Sequence, residues 1–311
     1  MRYFILLWSV IFSMACQNKN QSDASDGKPL VVCTTGMVGD LVKNIAGGSL
    51  EVKSLMGPGV DPHLYKATQG DLTLLRKADF VVYNGLHLEG KMTEILENFS
   101  KVKSIVALSD FIDKDRIIYH GSEANIPDPH IWFDVDLWSS AIPGLTSALC
   151  ELSASDCDAF KKRSLVYQAS LDSLNTAVAD QISRIPEAKR ILVTAHDAFE
   201  YFGRAYNIEV RGLQGISTLS EFGLKDRIEL IDFIVEKGIN SVFVESSVSK
   251  KNIEAIVEGC TKKGHPISIG GSLYSDAMGD PAGPEGHYIG MVNANVQKIV
   301  SGLLGKSKND S

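Results

Sequence analysis

The sequence predicts an α/β protein of two lobes. Each lobe has a parallel sheet flanked by helices, one long linker helix joins them, and the ligand site lies in the cleft between. Three observations carry this expectation. Short β-rich runs alternate with helix-like segments, the pattern of parallel strands joined by crossover helices. The alternation occurs twice, separated by one long segment of helical periodicity with few breakers. The length, 311 residues, suits two domains with buried cores. The charge balance, 31 basic against 38 acidic residues for a net −7, disfavours nucleic acid or an anionic lipid surface as partner, because both need a basic face.

Residues 1–15 read as an export signal: Arg2 supplies the positive start, Tyr3 to Met14 are mostly apolar, and Ala15 is a small residue at the cut. Cys16 follows directly, as in a bacterial lipobox, although Ser13 stands where such boxes usually carry Leu. Cys16 is therefore expected to be lipidated and to anchor the chain in membrane lipid, facing the periplasm or the cell exterior. Residues 16–28 are polar and suit a flexible tether.

The first lobe is expected over 29–153, with strands at 30–35, 51–56, 80–84 and 102–108 and helices near 37–47, 68–78, 90–99 and 136–150. The linker helix is expected over 154–187. Leu171, Leu174, Val178, Ile182 and Ile185 form one apolar stripe, Ser155 or Asp156 can cap the start, and Pro186 ends it. Its breaker-poor stretch from Asp156 to Ile185, at about 1.5 Å per residue, spans roughly 45 Å and makes the one crossing between lobes. The second lobe is expected over 188–305, with strands at 190–194, 208–212, 241–245 and 266–270 and helices near 197–206, 224–237, 249–263 and 286–303. Residues 306–311 form a tail. Of the cysteines after Cys16, Cys33 falls in a strand and Cys260 in a helix, while Cys150 and Cys157 bracket a turn. For that pair a disulfide and free thiols are both open, and no C-x-x-C spacing indicates a thiolate metal site.

Seven histidines are present, and two follow the same dipeptide: Asp61-Pro62-His63 and Asp128-Pro129-His130. Proline fixes its own backbone and restricts the residue before it, so each histidine sits in a stiff loop, as a metal ligand requires. His63, His130, His196 and Asp276 all fall beyond the carboxyl end of a strand, two from each lobe. That edge is where open parallel sheets bind ligands, so a shared site lies in the cleft. Imidazole with carboxylate suits a first-row divalent cation. His87, His120 and His265 lack this placement; they and His287, near Asp276, are read as structural or surface residues.

On these residues the chain resembles the zinc- and manganese-type solute-binding lipoproteins of bacterial metal ABC transporters, over essentially the whole mature length. The most specific block is DPHLYKATQGDLTLLRKADFVVYNGLHLEG, residues 61–90, which places the first ligand at His63. DPHIWFDV (128–135) places the second at His130, VTAHDAFEYFGRAYNIEV (193–210) the third at His196, and SLYSDAMG (272–279) the fourth at Asp276. GISTLSEFGLKD (215–226) and VFVESSVS (242–249) resemble two further segments. The resemblance implies two lobes on one helix that move little, a transported Zn2+ or Mn2+ ion, and a membrane permease that receives it. Two departures bear on the metal: residues 110–127 contain one histidine where the zinc branch often has a His-rich loop, and His196 stands where the manganese branch often has Glu.

Three imidazoles and one carboxylate favour zinc over manganese, which prefers more oxygen donors and stands lowest in the first-row affinity order. Neutral imidazole is required, so affinity is expected to fall with pH near the unperturbed value of about 6.5. The alternatives are a zinc hydrolase and a binding protein for a siderophore or corrinoid chelate; an added adhesion role is also open. Four protein ligands close a zinc site that catalysis would leave open, and H-E-x-x-H is absent. A serine elbow fails at Leu219, and a P-loop ending in Gly305-Lys306-Ser307 fails at Val300. The expectation is a monomeric receptor that is not an enzyme.

Overall fold

Four short parallel strands make the first sheet. The computed structural model describes residues 27–121, 125–220 and 222–305; the signal segment, Cys16, most of the tether and the tail lie outside the described residues. The first lobe runs β1 (Leu30–Cys33), α1 (Gly36–Ala46), β2 (Glu51–Ser54), α2 (Gln69–Lys77), β3 (Phe80–Tyr83), α3 (Thr93–Ser100) and β4 (Ser104–Ala107). The sheet order is β2-β1-β3-β4, with every pairing parallel. Val31, Val32, Cys33, Val81 and Val82 are fully buried, as expected for central strands covered on both faces. A two-residue antiparallel pair, β5 (Tyr119–His120) and β6 (Ile126–Pro127), leads into the second D-P-H motif.

The helix expected over 136–150 is two helices, α4 (Val135–Ser140) and α5 (Ile142–Leu152). Pro143 stands in the first turn of α5, where its missing N–H costs nothing, and it could not sit inside one continuous helix. A disulfide joins Cys150 of α5 to Cys157, S–S 2.08 Å, and settles the pairing that the sequence left open. Cys33 and Cys260 are free and buried.

The long helix α6 (Cys157–Ser183) has 27 residues, about 40 Å. Its first turn is not capped as expected: the Asp156 carboxylate accepts from Ser153 Oγ at 2.7 Å and makes no bond to the helix amides. Phe160, Tyr167, Leu171, Leu174, Val178 and Ile182 form its buried stripe. Arg163 ties it to the first lobe, donating from Nε to the Ile45 carbonyl and from Nη2 to that of Ala46, both at 2.7 Å.

The second lobe follows as β7 (Ile191–His196), α7 (Glu200–Tyr206), β8 (Glu209–Gln214), α8 (Leu224–Lys237), β9 (Ser241–Glu245), α9 (Lys251–Lys262), β10 (Ser268–Leu273) and α10 (Tyr288–Leu304). β7 pairs with β8 and β10 with β9, both parallel, and β7 lies beside β9. All strands of the first sheet precede α6 and all those of the second follow it, so the main chain crosses once. β10 runs further than expected, through a register shift between Ile269 and Gly271. A Cβ on Gly270 would lie 2.8 Å from the Phe243 ring and 3.3 Å from Gly302 Cα, so the missing side chain lets α10 lie against the strand.

One apolar core runs from Val31 and Met37 through Leu171 of α6 to Phe199 and Tyr288 of the second lobe. Along the rear of the seam Tyr288 donates from its hydroxyl to the Trp132 carbonyl at 2.7 Å, and Tyr201 to that of Asp128 at 2.9 Å. Trp132 donates from Nε1 to the Ser275 carbonyl at 3.1 Å. All three aromatic side chains are fully buried.

Candidate metal centre

The two D-P-H motifs fold alike. In each, the aspartate accepts the amide of the histidine two residues on, at 2.9 Å: Asp61 Oδ1 from His63 N and Asp128 Oδ1 from His130 N. The intervening proline has no N–H to compete for that oxygen and stiffens the turn. Asp128 does more, because its Oδ1 also lies 2.7 Å from His130 Nδ1. His196 ends β7; its amide donates to Glu245 Oε1 at 2.8 Å, and its Nδ1 abuts Oε2 of the same carboxylate. Asp276 lies in the loop after β10, where Ser275 is held from both sides: its carbonyl by Trp132, and its hydroxyl by Ser247 Oγ at 2.9 Å.

These supports bring His63, His130, His196 and Asp276 together, with one donor atom of each inside 4.8 Å of all the others. Asp276 Oδ2 is 3.3 Å from His196 Nε2 and 4.0 Å from His63 Nε2, and Oδ1 is 3.4 Å from His130 Nε2. Bonds of about 2.0–2.1 Å to a tetrahedral ion require donor separations of roughly 3.3–3.4 Å, which two of these contacts already have. All four residues are buried, and the three Nε2 atoms and both Asp276 oxygens have no hydrogen-bond partner. Buried polar atoms are ordinarily paired, and five converging orphans fit a cation between them.

The electrostatics differ from histidine to histidine. Burial, with no compensating carboxylate in hydrogen-bond contact, pushes His63 down to about 4. Burial also acts to lower His130, but the Asp128 and Asp276 charges outweigh it and lift the imidazole to about 9. At His196 burial is likewise outweighed, by Glu245 and Asp276, and the pKa stands well above the usual value. Asp276 is held well below the carboxylate range: burial opposes ionisation, and His196, His130 and His63 together overcome it. The proton competition with metal expected near 6.5 therefore moves upward.

Asp128 and Glu245 are the functional residues that sequence reasoning did not single out. Each takes an imidazole Nδ1 and turns Nε2 toward the centre, the usual outer support of a metal-bound histidine. Asp128 was visible as part of a stiff dipeptide, and Glu245 as the last residue of a strand. Of the two readings of His120, structural or surface, the structure favours the first: its Nε2 lies 3.7 Å from Asp128 Oδ2, behind the carboxylate that backs His130. His265 is structural, with Nε2 2.7 Å from the Ile239 carbonyl. His87 lines a separate cavity of about 400 Å³, and His287 contacts Asp40 at 3.2 Å.

Two α/β lobes on one helix, closed around a buried cluster of cation donors, define a solute-binding protein for a metal ion. The family described as zinc-uptake complex component A, periplasmic, matches residues 31–302. The zinc-binding protein TroA of Treponema pallidum is 48% identical over 281 residues, covering 90% of each chain. The manganese-binding lipoprotein MntA of Bacillus subtilis is 45% identical over 298 residues, covering 96% of this chain and 97% of the relative. The solved structure of the periplasmic zinc-binding protein TroA superposes with a TM-score of 0.87 at 48% identity, covering 89% of this chain and 99% of that one. The chain belongs to this family of periplasmic metal-uptake components, which are substrate-binding proteins of ABC transporters and not enzymes. The hydrolase and chelate readings find no support.

Proposed function

We propose that the chain captures one divalent transition-metal ion outside the cytoplasm at His63, His130, His196 and Asp276 and delivers it to an ABC permease for import. The observation that supports this is the set of five buried, unpartnered donor atoms converging from both lobes. The ion is cargo: it braces the lobes while bound, because each lobe supplies two ligands. Metal binding requires the Nε2 lone pairs, and the contacts of Asp128 with His130 and of Glu245 with His196 favour the tautomer that offers them.

Zinc is favoured over manganese. The names of the two relatives point to different metals at similar identity, so relatedness does not decide. The donor set supports zinc: His196 supplies nitrogen where a manganese site gains from oxygen, and three nitrogens with one carboxylate suit tetrahedral zinc. Calorimetry of stripped protein against both ions tests this. Tighter zinc binding at one ion per chain supports the reading, and manganese binding equal to or tighter than zinc overturns the preference.

We read residues 29–153 and 188–305 as the two lobes, 154–187 as the linker, 1–15 as the signal and Cys16 as the lipidated anchor. All four donors come from one chain, which suits a monomer. Membrane fractions carrying Cys16→Ser are expected to lose the protein to the soluble exported pool; retention at the membrane would contradict the anchor.

A further inference from the structure

Three of the four donors are seated in the closed part of the seam. His130 is backed by Asp128, itself held through its carbonyl by Tyr201, and His196 ends a strand beside Glu245. Asp276 follows Ser275, which Trp132 and Ser247 grip. His63 differs. It lies in the segment 55–68, which contains neither helix nor strand, and its neighbour Leu64 is exposed.

Among the described residues, one hydrogen bond carries this segment across the cleft. Asp61 uses Oδ1 for the amides of His63 and Leu64, at 2.9 and 3.3 Å, which leaves Oδ2 to accept from Thr218 Oγ1 of the second lobe at 2.7 Å. Thr218 is itself fixed: Gln214, the last residue of β8, donates from Nε2 to the carbonyls of Thr218 and Ser220 at 2.7 and 2.8 Å. Asp61 and Thr218 are both half-buried, so the bond stands at the rim of the seam and not within its core. A Cβ on Gly59 would lie 3.5 Å from the Ser246 carbonyl, and one on Gly90 would lie 3.7 Å from Leu219.

We propose that Asp61 and Thr218 form a latch across the mouth of the cleft, holding the His63 loop over the ion and setting the rate at which the ion exchanges. Both are positioning residues that act through His63. The proposal rests on the metal-receptor reading. A buried ion cannot leave until a donor-bearing segment moves; the His63 loop packs on its own lobe through Met56, Val60 and Tyr65 and is bonded to the other lobe at the half-buried rim, so that rim bond is where the mouth opens. The Asp61 carboxylate couples the two events, because the group that closes the mouth also sets the turn that aims His63.

The test is stopped-flow zinc exchange on the full mature chain, with parent, Thr218→Val and Thr218→Ser. The valine keeps the shape and removes the donor, while the serine restores it. Thr218→Val is expected to release zinc about tenfold faster, the scale of one hydrogen bond. Association quickens with it, so the equilibrium constant shifts less than the dissociation rate; Thr218→Ser behaves as parent. Weaker binding from a merely disturbed site would speed release and leave association unchanged. Thr218→Ala serves as a second donorless variant if the valine protein misfolds. Release within twofold of parent in a folded donorless variant overturns the latch alone. A parent that takes up no zinc overturns the functional reading and the latch with it.

Discussion

The rear and the mouth of the seam are held in unlike ways. At the rear, Trp132, Tyr201 and Tyr288 are fully buried and bond to carbonyls across the lobes, within a core continuous through α6. At the mouth, the half-buried pair Asp61 and Thr218 meets at 2.7 Å. The candidate ligands follow the same division: among the described residues, His130 and His196 have carboxylates behind them, and His63 has the turn made by Asp61. On the proposed reading, the rear keeps the lobes in register and the mouth is where the cargo leaves. One stiff helix and a shared core also explain why large lobe closure is not needed to bury the site.

The comparison breaks most visibly at the ligands. His130→Ala is expected to lower zinc affinity by orders of magnitude with the fold intact, and His63→Ala to lose less, because the loop that carries it is less preorganised. Chelator competition on both variants checks this; equal or greater loss at His63 would erase the distinction between rear and mouth. A smaller effect is expected one layer out. Glu245→Gln keeps the shape but removes the charge that Nδ1 of His196 faces, and about 10- to 100-fold weaker zinc binding should follow. Parent-like affinity would show that Glu245 supports the strand end and not the ligand.

The pH profile separates the same two regions. In the absence of metal, His130 is raised to about 9 and His196 well above its usual value, so both hold a second proton at neutral pH that bound zinc must displace. His63, lowered to about 4, has none to lose there. Raising the pH from 6 to 8 should therefore tighten binding by about tenfold or more per unit, with proton release visible in the buffer dependence of the heat. A profile flat above pH 7 would contradict this. The smallest effect on binding belongs to Tyr288→Phe, which leaves the Trp132 carbonyl without its donor. Stability should fall by about 1–2 kcal/mol in denaturant melts while zinc exchange rates stay as in the parent. Faster exchange in this variant would move the gate to the rear.

Much of this was legible before any coordinates. The D-P-H repeat and the strand-end positions of His196 and Asp276 pointed to the four residues that the structure brings into one cluster, because a ligand site in parallel sheets is tied to the carboxyl edge and the edge is readable from alternation. The outer carboxylates were not legible in the same way. Glu245 reaches His196 only because β9 lies beside β7, and the order of strands within a sheet is a tertiary fact. Asp128 was read as backbone stiffening, which it provides, while its second bond to the ring depends on the rotamer of His130. The continuation of β10 past Gly270 was not legible because it runs through a register shift at glycines that let α10 approach closely, which is a tertiary fact. The Cys150–Cys157 bridge needed the geometry of the α5–α6 corner, which spacing alone does not supply. The Asp61–Thr218 contact joins residues 157 apart in the chain and carries no local signature.

The most direct measurement is anomalous diffraction at the zinc edge from crystals of the protein loaded with one equivalent of zinc. The account predicts a single peak at the seam, about 2.0–2.2 Å from the Nε2 atoms of His63, His130 and His196 and from the Asp276 carboxylate. A peak elsewhere on the chain, or one at the seam that His130 or His196 does not reach, would contradict it.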